Sequence, residues 1–209
     1  VTPKQIEKVL KDNNQGILLD IGCGKDKQPG FVGMDYTPYE GVDIVHDVTK
    51  FPWPLPDESC SCIMVSHMVE HITKSPIPIQ LTDLVNLLIK KELLTQEEVK
   101  ETIGDLFHGS TFVRFMDECW RVLKPDGQLM MVFPYGGSLG FWQDPTHLSG
   151  YNEITWAYFD PLDSTVAEKL YTLYQPKPWK VDYSTWNPSQ NMEVCLVKRR
   201  DDFSYHKDQ

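Results

Sequence analysis

Short apolar runs without alternation punctuate the first two thirds of the chain, the pattern of strands buried on both faces of a parallel sheet. The first run, Ile17-Leu18-Leu19-Asp20-Ile21, breaks at once into the turn Gly22-Cys23-Gly24. Ahead of it, Thr2-Pro3 opens an amphipathic helix with Ile6, Val9 and Leu10 on one face, ending near Asn13-Asn14. Further strands are predicted at Phe31-Val32-Gly33-Met34-Asp35, at Val42-Asp43-Ile44-Val45-His46-Asp47, at Ser61-Cys62-Ile63-Met64-Val65-Ser66 and over residues 128–133. A helix starts at His67 and runs to about Thr73. Two helical patterns follow, Leu81 to Leu94 and a second opened by the capping box Thr95-x-x-Glu98. Another helix covers 112–123 and ends in the turn Lys124-Pro125-Asp126-Gly127.

Strands and helices alternate this far, which argues for a parallel sheet covered on both faces. Residues 180–186 and 192–197 read as two strands with no room for a helix between them, so that pair is expected to be antiparallel. Only Lys25 to Gly30 separates the first two strands, where a parallel crossover normally takes a dozen residues and a helix. The crossover helix is therefore expected to be truncated or replaced by a loop. The reading is one domain over 1–209, with a helical insertion at 74–110 serving as lid or dimer contact, and a frayed polar tail at 201–209.

Composition narrows the class. With 41% hydrophobic and 24% charged residues the chain reads as globular. No apolar run approaches bilayer length and Val1 begins no leader pattern, so a cytoplasmic, membrane-free protein is expected, monomeric or homodimeric. Five cysteines, Cys23, Cys60, Cys62, Cys119 and Cys195, form no Cys-x-x-Cys pair and read as buried thiols in a reducing compartment. A formal charge of -10 argues against nucleic acid, and the one basic run, Lys198-Arg199-Arg200, is followed by Asp201 and Asp202.

A buried strand breaking into Gly-x-Gly points to a nucleotide-type ligand approached closely by backbone. A dinucleotide fingerprint would need glycine at Lys27, and a P-loop would need Gly-Lys-Ser/Thr; neither is present, so the ligand need not carry a pyrophosphate. Asp35, ending the second strand, suits the two hydroxyls of a ribose. Asp47, ending the third, suits the adenine edge, and Ser66-His67, ending the fourth, faces the same crevice.

In order, Leu19-Asp20-Ile21-Gly22-Cys23-Gly24, Gly33-Met34-Asp35, Asp47-Val48, Leu55-Pro56-Asp57-Glu58-Ser59, His67-Met68-Val69-Glu70-His71 and Glu118-Cys119-Trp120-Arg121-Val122-Leu123-Lys124-Pro125-Asp126-Gly127 resemble class I S-adenosylmethionine-dependent methyltransferases, and among them the type 11 group. The resemblance spans roughly residues 16 to 135. It implies an α/β, Rossmann-like fold with a mostly parallel seven-stranded sheet and an antiparallel last strand. It also implies S-adenosylmethionine as cofactor, with Asp20, Gly22, Cys23 and Gly24 at its methionine end, although Cys23 itself is given no chemical role. Asp35 would take the ribose, Asp47 and Val48 the adenine, and Ser66 and His67 the wall beside the sulfonium. The third glycine usual in that loop is missing, and with the crossover helix truncated Lys25 or Lys27 would meet the cofactor carboxylate in place of a helix N-terminus.

On the acceptor side, Pro134-Tyr135-Gly136-Gly137 and Phe141-Trp142-Gln143-Asp144-Pro145-Thr146-His147 suit a substrate lid, with His147 as general base and Asp144 beside it. The alternative for His147 is a cap on a helix from Asn152 to Phe159. The expected reaction moves a methyl group to an O or N atom of a small molecule, a sugar or a metabolite, and no metal is expected. One rival is a chain that binds S-adenosylmethionine without catalysis, as sensor or partner subunit. Another is a zinc metallopeptidase, because His67-x-x-Glu70-His71 also spells the inverted zincin motif, although no downstream third ligand stands out. The acceptor itself is not written in the sequence.

Overall fold

The computed structural model describes residues 3–13, 15–73, 91, 111–163 and 176–200. Apart from Lys91, the insertion and its two expected helices lie outside the described residues, as does the expected tail at 201–209. The chain opens with helix α1 (Pro3–Asp12) and enters β1 (Ile17–Ile21), β2 (Val32–Asp35), β3 (Ile44–Val45) and β4 (Cys60–Ser66). A single 3₁₀ turn (Val69–His71) follows β4. Helix α2 (Thr111–Val122) leads directly into β5 (Leu123–Pro134), then short helices α3 (Leu139–Gln143) and α4 (Glu153–Ala157), and finally β6 (Trp179–Trp186) and β7 (Asn191–Lys198).

The seven strands form one sheet in the order β3-β2-β1-β4-β5-β7-β6. Strands β1 to β5 are mutually parallel, while β7 runs antiparallel to both of its neighbours. The expected mixed sheet with its antiparallel end is thus present. The strand order reverses between β1 and β4, and the carboxyl ends of those strands open a crevice, the usual ligand position in such sheets.

Ile17, Leu19 and Ile21 of β1 and Met34 of β2 are completely buried, as the continuous apolar runs require. One face is covered by α2, whose Phe112, Phe115, Met116, Cys119 and Val122 recur at helical spacing and are buried. Ile6, Val9 and Leu10 of α1 pack against the same core. The proline-rich loop after β3 is held by α2: Trp53 N–H donates to Glu118 at 2.9 Å, and Arg121 donates to Asp57 at 2.6 Å and to the Leu55 carbonyl at 2.9 Å. Two motifs far apart in sequence are thereby one clasp.

Between β1 and β2 the crossover helix is gone, replaced by a loop over residues 22–31. Asp20 holds that loop, since Oδ2 accepts the Gln28 amide at 2.8 Å. Strand β3 is shorter than its apolar pattern suggests, although Asp43 N–H to the Gly33 carbonyl and His46 N–H to the Asp35 carbonyl extend the pairing on either side. The turn expected at 124–127 survives as an out-loop within β5, where Leu123 pairs Cys60 but Gln128 already pairs Cys62. The helix expected from His67 is cut to one 3₁₀ turn.

Candidate functional site

Two cavities open at the carboxyl edge of the sheet, their linings adjoining at Thr146 and His147. The first, of about 570 Å³, is lined by Gly22, Asp35, Asp47 and Val48 on one side and by His67, Met68, His71 and Thr146 on the other. Five of the expected cofactor residues thus line one cavity, namely Gly22, Asp35, Asp47, Val48 and His67. Asp20, Cys23, Gly24 and Ser66 do not line it.

Those four sit around the cavity in other ways. Asp20 is buried and turned to the Gln28 amide; burial pushes its carboxyl above the usual range, against the amide and the Lys27 charge. Cys23 is buried with its sulfur against Gly33, and burial, with Asp20 and Asp35 nearby, pushes its thiol up to about 11. Gly24 adopts a φ of 55°, with open space where a side chain would begin, and its N–H donates to Asp35 Oδ2 at 3.0 Å. Ser66 is exposed at the end of β4. Gly22 is the stricter glycine: its φ is 69°, and a Cβ there would meet Met68 at 2.6 Å.

Asp35 is buried and accepts a second amide, from Thr37, at 2.8 Å. Each carboxylate oxygen keeps a lone pair for a ligand hydroxyl. Asp47 is partly desolvated, which raises its carboxyl, yet the hydroxyl and amide of Thr49 at 2.7 and 2.9 Å bring it below the usual range. Of the two lysines, Lys27 is committed to Asp43 at 2.7 Å, whereas Lys25 stands 5.3 Å from the ring of Tyr39, which lines the cavity.

The second cavity, of about 500 Å³, is lined by Tyr135, Gly136, Phe141, Trp142, His147 and Tyr151 among others. Its wall contains α3, a one-turn helix where the glycine-rich sequence suggests a loop. Ser138 starts that helix by accepting the Phe141 amide at 3.1 Å. His147 does not cap the following helix; Asn152 and Thr155 form that capping box between themselves.

Between the cavities lies a polar cluster. The Leu148 and Ser149 amides donate to the Glu70 carbonyl at 2.8 and 3.0 Å, Ser149 Oγ to the Ile72 carbonyl at 2.7 Å, and Tyr151 to the Val69 carbonyl at 3.1 Å. Four bonds therefore fasten the loop after α3 to the 3₁₀ turn. They bring His147 Nε2 to 3.9 Å from Glu70 Oε1 and 3.7 Å from Asp144 Oδ2. His67 Nδ1 lies 3.5 Å from Glu70 Oε1, and that carboxylate raises the His67 pKa against the effect of burial. Asp144 itself is tied to Thr146, whose hydroxyl and amide lower its pKa.

The metallopeptidase motif does not form as such. In it both histidines would ligate from one helix, whereas here His67 precedes the 3₁₀ turn with a φ of 50°. Its three-residue turn holds only His71 of the pair. The third partner that sequence reading did not find is His147, which joins Glu70 and His71 in one group of donor atoms within 4.8 Å of one another.

No family model and no curated protein matches the chain. Among solved structures it is similar to the 16S rRNA (adenine(1408)-N(1))-methyltransferase of Catenulisporales acidiphilia, whose structure includes the cosubstrate SAM. That match has 14% identity over 96% of this chain and 92% of the other, with a TM-score of 0.50. It is also similar to a structure of the complex between the Haloferax volcanii Trm112 methyltransferase activator and a protein assigned as a methyltransferase. Here identity is 10% over 97% of this chain and 94% of the other, with a TM-score of 0.51. A Sulfolobus solfataricus protein assigned as a type 11 methyltransferase aligns at 13% identity over 100% and 98% of the two chains, with a TM-score of 0.44. The first two matches, with the strand order, define the fold: it is the Rossmann-like fold of class I S-adenosylmethionine-dependent methyltransferases.

Proposed function

We propose that this chain binds S-adenosylmethionine in the larger cavity and transfers its methyl group to an O or N nucleophile of a small molecule seated in the aromatic cavity. The observation that carries this reading is the convergence of Gly22, Asp35, Asp47, Val48 and His67 on one cavity at the carboxyl ends of β1 to β4. Asp35 takes the ribose hydroxyls, Asp47 and Val48 the adenine, and the left-handed turn at Gly22 and Gly24 lets the backbone reach the methionine end.

The reaction is an in-line displacement in which the S–CH₃ bond breaks as the bond to the acceptor forms. Holding the two partners in line supplies up to about 7–11 kcal/mol, while a base adds about 10² to 10⁴ in rate. The geometry of the two cavities therefore matters more than any one base. His147 lines the acceptor cavity, whereas Asp144 does not line it and stands 3.7 Å from His147 Nε2.

A small acceptor is favoured over nucleic acid because the basic run is largely engaged by the fold, with only Arg200 exposed. Lys198 is only 1% exposed and donates to the Leu123 carbonyl at 2.8 Å. Arg199 pairs with Asp160 at 2.7 Å, and Arg200 with Asp126 at 2.8 Å. Calorimetric titration of the full chain with S-adenosylmethionine and S-adenosylhomocysteine tests the proposal. Saturable binding of both in the micromolar range is expected; no heat at those concentrations would sink the reading.

A further inference from the structure

Glu70 is completely buried, yet neither of its carboxylate oxygens accepts a hydrogen bond. A buried carboxylate left so costs several kcal/mol unless a cation compensates it. Its nearest charged or chargeable neighbours are the imidazoles of His67 and His147, and donor atoms of Glu70, His71 and His147 fall within 4.8 Å of one another.

The tautomers of two of these histidines are fixed by backbone. His147 Nδ1 lies 2.8 Å from the Phe141 carbonyl and His71 Nδ1 lies 3.1 Å from the Thr146 carbonyl. A carbonyl only accepts, so each Nδ1 carries the hydrogen and each Nε2 keeps its lone pair in the neutral ring. Hydrogen bonds of this kind orient ligand histidines in metal sites. An imidazole lone pair repels a carboxylate, and His147 Nε2 lies 3.9 Å from Glu70 Oε1, a repulsion that a cation between them would relieve.

We propose that Glu70, His71 and His147 bind one divalent first-row transition-metal ion. Two imidazoles and a carboxylate suit zinc, manganese, iron or cobalt, whereas magnesium and calcium take oxygen donors. His67 beside the site holds a φ of 50° between β4 and the 3₁₀ turn, one of four such non-glycine residues among those described. Three protein donors leave the ion's remaining positions to water or to an oxygen of the acceptor. His71 lines the cofactor cavity and His147 the aromatic cavity, so the ion stands where the two meet. That last role rests on the methyltransferase reading; the metal site does not. With the ion in place, His147 is a ligand rather than a free base, and the ion eases loss of the acceptor proton.

The test uses the full chain stripped with chelator and titrated with Zn²⁺ and with Co²⁺, with the visible Co²⁺ spectrum recorded. One ion per chain is expected at micromolar affinity or tighter, with Co²⁺ bands that indicate nitrogen ligation. Glu70→Gln and His147→Ala should each weaken binding about tenfold or more. His46→Ala, which alters a histidine outside the cluster, should leave it unchanged. Thermal melting of each variant reports folding. Absence of saturable binding by the wild-type chain below about 100 µM overturns the proposal, as does affinity untouched by both folded variants. S-adenosylhomocysteine binding by the chelated chain, measured alongside, reports the cofactor reading separately, so one can fail without the other.

Discussion

The carboxylate of Asp35 accepts the backbone amide of Gly24 at 3.0 Å, joining the end of β2 to the glycine turn after β1. Asp35 is thus both a candidate ribose ligand and the brace of the turn proposed to receive the methionine end. The two roles coexist because its two oxygens offer about four acceptor positions and two amides occupy two of them.

Replacing Asp35 by Ala removes both. S-adenosylhomocysteine affinity is expected to fall about tenfold or more, in line with a charge-assisted hydrogen bond of about 1.5–3 kcal/mol. Asp35→Asn keeps one acceptor oxygen and should lose less. Calorimetry on both variants checks this, and unchanged affinity in Asp35→Ala removes the ribose assignment.

With no crossover helix behind Gly24, no helix N-terminus is offered to the carboxylate of a cofactor bound as proposed. Lys27 is spoken for by Asp43, at 2.7 Å and partly exposed, whereas Lys25 reaches over Tyr39 at the cavity wall. Lys25→Ala should therefore weaken S-adenosylmethionine binding several-fold. Lys27→Ala should leave it near wild type and change stability by less than about 1 kcal/mol. Equal effects of the two substitutions in a binding titration would assign the carboxylate to neither.

How much of this was legible in the sequence depends on the range of the interactions. The strand-turn unit from Ile17 to Gly24 and the acid at Asp35 are local features, readable from apolar runs and glycine spacing. Helix α3 escaped because Gly136, Gly137 and Gly140 mask a helix only one turn long, although Ser138 three residues before Phe141 was its capping signal. The approach of His147 to Glu70 has no local signature at all. It is created by Leu148, Ser149 and Tyr151 hydrogen-bonding to carbonyls of the 69–72 segment. In Lys198-Arg199-Arg200 the periodicity of two was the missed signal, since Met192, Val194, Leu196 and Lys198 share one buried face of β7.

Thiol chemistry should report the burial of the strand ends. Burial pushes Cys23 up to about 11 and Cys60 up to about 12, and Cys119 is raised as well. At pH 8 a thiol of pKa about 11 is roughly one part in a thousand thiolate, against about one part in four for an unperturbed cysteine near 8.5. Native protein is expected to resist iodoacetamide at Cys23, Cys60 and Cys119, with all three labelled after unfolding in guanidinium. Peptide mass mapping distinguishes the sites, and rapid native labelling of Cys23 would mean that the glycine turn opens in solution.

Lys198 offers the sharpest separation between a structural and a nucleic-acid role. Its ammonium donates to the Leu123 carbonyl at 2.8 Å, lies 3.4 Å from Glu58 and stands 4.0 Å from the centroid of the Trp120 ring. These contacts join β7 to the α2–β5 junction and leave almost no charge for a phosphate. Lys198→Ala strands the Leu123 carbonyl and opens a void, so a loss of about 2–4 kcal/mol is expected. For a chain of this size that corresponds to a melting temperature lower by roughly 4–16 °C. A structured RNA at low salt should show no binding to the wild-type chain at about 10 µM, because the formal charge of -10 repels it and Lys198 and Arg199 are withdrawn from solvent. Salt-sensitive RNA binding that Lys198→Ala abolishes, with melting unchanged, would instead move the acceptor from small molecule to nucleic acid.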